Sequence, residues 1–247
     1  DSTASMAAAA AKQALLAAEM VAKDIQLIIV ATSTPDKFFP STACLVQAEL
    51  GEDGCPSFDI VAACAGFNYA LSVADQFIRN GVVETALVIG SESMSNIINW
   101  EDRSTCILFG DGAGAVVLQA AKEPGIISAH LHAAGSYKDL LSLGTGLKKG
   151  DVPHLKMQGS EVFKIAVNKL SAVLEETLTA NKINKKDILI YHIMFIMFLN
   201  RNSFHLKYFQ YYFQNYLNFF SLHYAPIYYL SIYLSIYLSI YLSIYLS

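Results

Sequence analysis

The first 190 residues predict an α/β fold, a parallel or mixed sheet covered by helices. Three observations carry this reading. An Ala-rich helical stretch runs into a short apolar strand near residue 25, helix and strand signals then alternate at short spacing to about residue 90, and the same helix-then-strand step returns near residue 190. The recurrence predicts two similar halves, the second cut off.

Ser5 to Met20 is Ala-rich with Leu15 and Leu16, a helix by propensity, and Ile25 to Ala31 is an apolar run that reads as a buried strand. Ser41 to Leu50 follows as a helix ended by Gly51, then Phe58 to Ala63 as a strand. Ala65 to Asn80 reads as a helix closed by Gly81, and Thr85 to Gly90 as another strand. Beyond Gly114, Ala115 to Gln119 and Ile126 to His132 are predicted strands joined through Pro124-Gly125. Gly159 to Ala180 is a long amphipathic helix, and Ile188 to Ile190 begins one more strand.

With 54% hydrophobic and 15% charged residues, the chain has enough apolar material for a sizeable core. A net charge of -4 gives no electrostatic case for a nucleic-acid partner, because phosphate binding needs a basic surface. Cys44, Cys55, Cys64 and Cys106 have neither zinc-type spacing nor the density of a secreted disulfide scaffold, so they read as reduced, intracellular thiols and no metal site is expected. The chain opens at Asp1 with no initiator Met and no basic-then-apolar signal, which favours a sequence that starts within a longer gene.

After Ile190 the composition changes. All 14 glycines lie at or before Gly159, and from Tyr191 to Ser247 there is no Asp, Glu or Gly, only Arg201 and Lys207 are charged, and twelve of the 14 tyrosines occur. Such a stretch lacks turn chemistry and a charged face, so no compact core with the preceding residues is expected. Ile232 to Ser247 is Ile-Tyr-Leu-Ser four times over. A repeated TATC tetranucleotide read in triplets gives this period, which points to a translated microsatellite. Ile227 to Ser247 is uncharged and long enough to cross a bilayer, but a Ser at every fourth place serves no anchor, and no membrane partner is expected.

Cys64 lies in Val61-Ala-Ala-Cys64-Ala-Gly66-Phe67, between the apolar strand and the next helix. A thiol there feels the positive end of the helix dipole, which favours thiolate, and small neighbours let an acyl group approach. A small buried hydrophobe is the alternative on chemistry alone. Phe109-Gly-Asp-Gly-Ala-Gly114 is not read as a dinucleotide loop, because Ala115 to Leu118 is strand-like where a phosphate cradle opens a helix; close backbone packing is the expected use of its glycines.

Five blocks in order resemble β-ketoacyl-acyl-carrier-protein synthase III: Phe39-Pro40-Ser41, Phe58 to Phe67 around Cys64, Phe109 to Gly114, His130-Leu-His132 with Gly135-Ser136, and Met157-Gln-Gly159-Ser-Glu161-Val-Phe163-Lys164. The resemblance implies a thiolase-like fold, a duplicated five-layer α-β-α-β-α architecture, here with an incomplete first half and a truncated second half. It places an N-terminal half at residues 1–122, the start of a C-terminal half at 123–190 and an unrelated low-complexity tail at 191–247. It also implies a homodimer and a Cys-His-Asn set that makes acetoacetyl-acyl-carrier-protein from acetyl-CoA and malonyl-acyl-carrier-protein. Acetyl-CoA is then a substrate and no permanently bound cofactor is implied; the acyl carrier protein is the macromolecular partner and the cytoplasm, or a plastid-like organelle, the compartment. Cys64 becomes the acylated residue, Arg103 a CoA contact, Phe39 an aromatic that reaches the partner subunit's acyl pocket, Phe163 a wall of the pantetheine tunnel beside Gly159, and Lys164 a basic residue of the carrier-protein docking face.

The sequence departs from the family pattern near residue 190. Asp187-Ile-Leu-Ile-Tyr191-His192 keeps the lead-in to the family's catalytic His, so His192 is in register, but the residues after it differ. The Gly-Asn-Thr-Ser turn and the Gly-rich C-terminal loop of the family do not occur, nor does its first strand. Two readings stand: an acyltransferase whose sequence is misjoined near residue 190, and a catalytically dead fragment. Chalcone-synthase-like and hydroxymethylglutaryl-CoA-synthase-like substrates stay open within the first.

Overall fold

The computed structural model describes residues 2–123, 125–144 and 154–184. In chain order the elements are α1 (Thr3–Ala17), β1 (Ile28–Ala31), α2 (Thr42–Leu50), β2 (Ser57–Ile60), α3 (Gly66–Arg79), β3 (Thr85–Glu92), β4 (Gly112–Gln119), β5 (Leu141–Leu143), β6 (Leu155–Met157) and α4 (Gly159–Asn181). Among these residues a first compact unit runs to Val167, and a second begins at Asn168 within α4. The sheet belongs to the first.

Each of the first two helices starts where side chains satisfy its free amides. Ser2 and Ser5 cap one another at the head of α1, and the Asp36 carboxylate accepts from Thr3 N and Ala4 N at 3.0 and 2.8 Å. Asp59, on β2, does the same for α2, accepting from Thr42 N and Ala43 N at 2.6 and 2.8 Å. Gly51 ends α2 at φ 75, a left-handed position that a residue with a Cβ enters only at a cost. Gly66 opens α3 for another reason: a Cβ there would lie 3.3 Å from the Cβ of Ala31, so the missing side chain lets α3 start close against the end of β1.

The sheet has the order β2-β1-β3-β4, with β1 parallel to both neighbours and β4 antiparallel to β3. Strand alternation sends Ile28, Val30, Leu87 and Ile89 to one face, where Ala7, Ala8, Ala11 and Leu15 of α1 and Ala43 and Val46 of α2 cover them. Leu27, Ile29, Ala31, Ala86 and Val88 face the other way, onto Ala70 and Ala74 of α3. The central strand is thus buried on both sides, and each such aliphatic side chain stabilises the fold by about 1.5–3 kcal/mol.

Two expectations need correction. Residues 126–134 form neither helix nor strand, although the composition of Ile126 to His132 predicts a strand. The segment is largely exposed, and α3 side chains take its carbonyls singly: Arg79 Nη2 donates to Ile126 O at 2.6 Å and Tyr69 Oη to His132 O at 3.3 Å. The second correction concerns Phe109 to Gly114. Gly112 to Gly114 open β4, in keeping with a strand rather than a phosphate loop, but a Cβ at Gly110 or Gly112 would meet nothing within 4 Å among the described residues. Close packing does not explain those two glycines. The strand expected at Ile188 to Ile190 lies outside the described residues.

Candidate active site

The chain between β2 and α3 is built around a sharp backbone turn. Ala62 has φ -142 and ψ 32, Ala63 has φ 45, and residues Ala63–Ala65 make one 3-10 turn before α3 begins at Gly66. A left-handed conformation at a non-glycine residue costs roughly 1–2 kcal/mol, so the turn stores strain directly before the thiol. Cys64 stands at its centre and is exposed.

This turn sits at the carboxyl end of the parallel strands, where α/β sheets hold their ligands. The topology gathers other loops there. The segment carrying Phe39 leaves β1 at that end, and the segment carrying Arg103 runs between the end of β3 and the start of β4, where Glu92 pairs with Gly112. Leu155 N of β6 donates to Ile97 O of the same segment at 2.9 Å, tying the lead-in to α4 to it.

Cys64 does not have the electrostatics expected of it. Burial pushes the thiol up from its ordinary value, a backbone hydrogen bond opposes this, and the Glu92 carboxylate adds to the rise. The side chain reaches solvent, yet the protein packed around it removes water that a thiolate needs, and Cys64 precedes the first residue of α3 by two positions. The expected thiolate-favouring effect of the helix end is therefore outweighed.

Glu92 lies at the same strand end and was not among the residues the sequence singled out. Its Oε1 accepts from Ser33 N at 2.8 Å and its Oε2 from Thr34 Oγ1 at 2.5 Å, both just past β1. Burial raises its carboxyl, with those hydrogen bonds opposing. An acidic residue closing a buried apolar strand, at the strand end where the candidate nucleophile emerges, is the signal that would have found it.

Phe39 is 85% exposed beside Phe38 at 77%, and the Phe39–Pro40 peptide is cis. Arg103 is exposed and has no hydrogen bond or ion pair with a described residue; its neighbour Asp102 is held by Ser104 N, Ser104 Oγ and Thr105 Oγ1, which lower its carboxyl below the usual range. Gly159 is the first residue of α4, Phe163 is half-buried on its next turn, and Lys164 pairs with Glu161 at 2.8 Å on the surface. His192 lies outside the described residues. Among the described residues no cluster of three or more His, Cys, Asp or Glu side chains could hold a metal ion. No helix among them is long and apolar enough to cross a membrane.

A model of the family 3-oxoacyl-[acyl-carrier-protein (ACP)] synthase III matches residues 58–135, which hold both the Cys64 turn and Glu92. The β-ketoacyl-[acyl-carrier-protein] synthase III of Alkalilimnicola ehrlichii is 54% identical over 190 residues, and that of Thiobacillus denitrificans 55% over 189. Over this stretch the chain is similar to the synthase III family. These matches cover 74% and 75% of this chain and 59% of each relative, so the chain spans about three-fifths of the length of the curated relatives it matches. The crystal structure of the Aquifex aeolicus synthase III superposes with a TM-score of 0.71 at 44% identity, over 76% of this chain and 59% of that one. The fold is therefore the thiolase-like α/β fold of synthase III, of which the described residues supply a four-stranded sheet with helices on both faces and the two-stranded pair β5-β6.

Proposed function

We propose that this chain is the acyl-accepting part of a β-ketoacyl-acyl-carrier-protein synthase III, which condenses acetyl-CoA with malonyl-acyl-carrier-protein and so initiates fatty acid synthesis. The observation that supports it best is Cys64, exposed on a strained turn at the carboxyl end of the parallel strands. The Cys64 Sγ attacks the acetyl carbonyl; an Sγ–C bond forms, the thioester C–S bond of acetyl-CoA breaks, and CoA leaves with the thiol's proton. Malonyl-acyl-carrier-protein then loses carbon dioxide, and its enolate carbon attacks the acetyl-Cys carbonyl. That C–C bond expels the Cys64 thiolate and releases acetoacetyl-acyl-carrier-protein.

In this reading Arg103 meets the CoA, Phe39 reaches across a homodimer into the partner's acyl pocket, Phe163 and Gly159 border the pantetheine passage and Lys164 faces the acyl carrier protein. The exposure of Arg103 and Phe39 suits groups whose partners are other molecules. His192, in register with the family's His, would hydrogen-bond the thioester oxygen as malonyl-acyl-carrier-protein loses carbon dioxide. The domain limits that go with it are 1–122 and 123–190, with 191–247 outside the enzyme fold, and the compartment is the cytoplasm.

The test is a hybrid in which residues 2–184 replace the matching portion of the Alkalilimnicola ehrlichii relative. Release of carbon dioxide from malonyl-acyl-carrier-protein in the presence of acetyl-CoA is expected from the hybrid and not from its Cys64→Ala variant. A folded hybrid with no release above that variant would overturn the proposal.

A further inference from the structure

The carboxylate of Glu92 is the hub of a polar network in an otherwise apolar part of the unit. It accepts from Ser33 N and Thr34 Oγ1. Thr34 Oγ1 in turn accepts from Ser93 N at 2.8 Å, and Thr34 O accepts from Thr3 Oγ1 at 2.6 Å. Thr3 and Ser93 share a hydroxyl hydrogen bond at 2.7 Å, and Ser91 Oγ donates to Thr3 O at 2.8 Å. Thr3, Ser91 and Ser93 are all but excluded from solvent, so each of these polar groups depends on the others. Through this network Glu92 binds the loop after β1 to the end of β3 and to the head of α1.

The Cys64 turn is held by the two residues just before those that Glu92 clasps. Thr32 N donates to Ile60 O at 3.2 Å, extending the β1–β2 ladder past its last pair, and Gly66 lies close enough to Ala31 that a Cβ would crowd it. Cys64 is four residues beyond Ile60 and two before Gly66, so both ends of its turn abut residues 31 and 32, directly before the two residues that Glu92 clasps.

We propose that Glu92 is a positioning residue for Cys64, its carboxylate clasping residues 33 and 34, which directly follow the two residues that hold the Cys64 turn. The carboxylate's charge acts in the direction that keeps the Cys64 proton in place until a base removes it. The groups that hydrogen-bond Glu92 are the amides and hydroxyls of Ser33 and Thr34. Asp36 and Asp111 are occupied elsewhere, Asp36 on Thr3 N and Ala4 N, and Asp111 on Ser95 N and Oγ. Among the described residues Glu92 is the carboxylate that contributes to the rise of the thiol.

The inference rests on Cys64 being the nucleophile, but its test does not need the condensation reaction. The rate of alkylation of Cys64 by iodoacetamide, followed by peptide mass spectrometry against pH, is compared in the full chain, Glu92→Gln and Glu92→Asp. Removing the charge in Glu92→Gln is expected to lower the midpoint of the rate profile by about half a pH unit. Below the midpoint this gives an approximately twofold faster reaction, since a more acidic thiol is also a weaker nucleophile. Glu92→Asp keeps the charge and shortens the reach, so its midpoint stays near the parent's while its thermal midpoint falls. An unmoved midpoint in Glu92→Gln, or equal shifts in both variants, would refute the assignment, whether or not Cys64 accepts an acetyl group. Should Glu92→Gln fail to fold in this chain, the same comparison in the hybrid decides by the same criteria.

Discussion

At the scale of single residues, the site is a set of conflicts that the fold holds in place. Ala63 occupies φ 45, where its Cβ crowds the backbone. Ala63→Gly removes that clash and is expected to raise stability by about 1 kcal/mol, less the extra entropy glycine loses on folding, read as a higher urea midpoint at unchanged slope. Glu92 is a second conflict, a carboxylate whose burial favours its protonated form. Its folded value lies above the ordinary 4.5, so its contribution to stability is fully present below about that pH and is lost as pH rises through the folded value. The urea midpoint of the parent should therefore fall relative to that of Glu92→Gln as pH is raised from about 4.5 to about 7, and parallel curves would contradict this. Cys64 itself was legible in the sequence, because a small-residue run between strand and helix signals is a local pattern. Its ionisation was not, since that depends first on burial by the surrounding fold and then on Glu92, which comes from a strand 28 positions along the chain.

At the scale of elements, local signals worked wherever the structure is locally determined. The Ala-rich α1, the Gly51 stop of α2 and the apolar β1 and β3 lie where propensity and capping place them. Ile126 to His132 had the right composition for a strand, but strand formation needs a neighbour, and α3 takes its carbonyls instead. The head of α2 depends on a similarly distant partner that no helix signal reveals, the Asp59 carboxylate on Thr42 N and Ala43 N. Removing it in Asp59→Ala should cost about 1–2 kcal/mol and lower the thermal midpoint, with the far-UV spectrum otherwise kept.

At the scale of the whole molecule, chemistry depends on groups from several segments acting together. Loss of one oxyanion donor typically costs about a hundredfold or more in rate, and the 247-residue sequence contains no Gly-Asn-Thr-Ser turn to supply the family's Asn. Carbon dioxide release by the 247-residue polypeptide on its own is therefore expected to match that of its Cys64→Ala variant, while iodoacetamide still alkylates Cys64. The central claim is that Cys64 is the residue on which the acyl group is carried. Peptide mapping of the hybrid after exposure to acetyl-CoA tests it most directly. An acetyl thioester is expected on the peptide containing Cys64, absent from Cys64→Ala and from the peptides of Cys44, Cys55 and Cys106; a folded hybrid that carries the acetyl group on another residue, or nowhere, would contradict it.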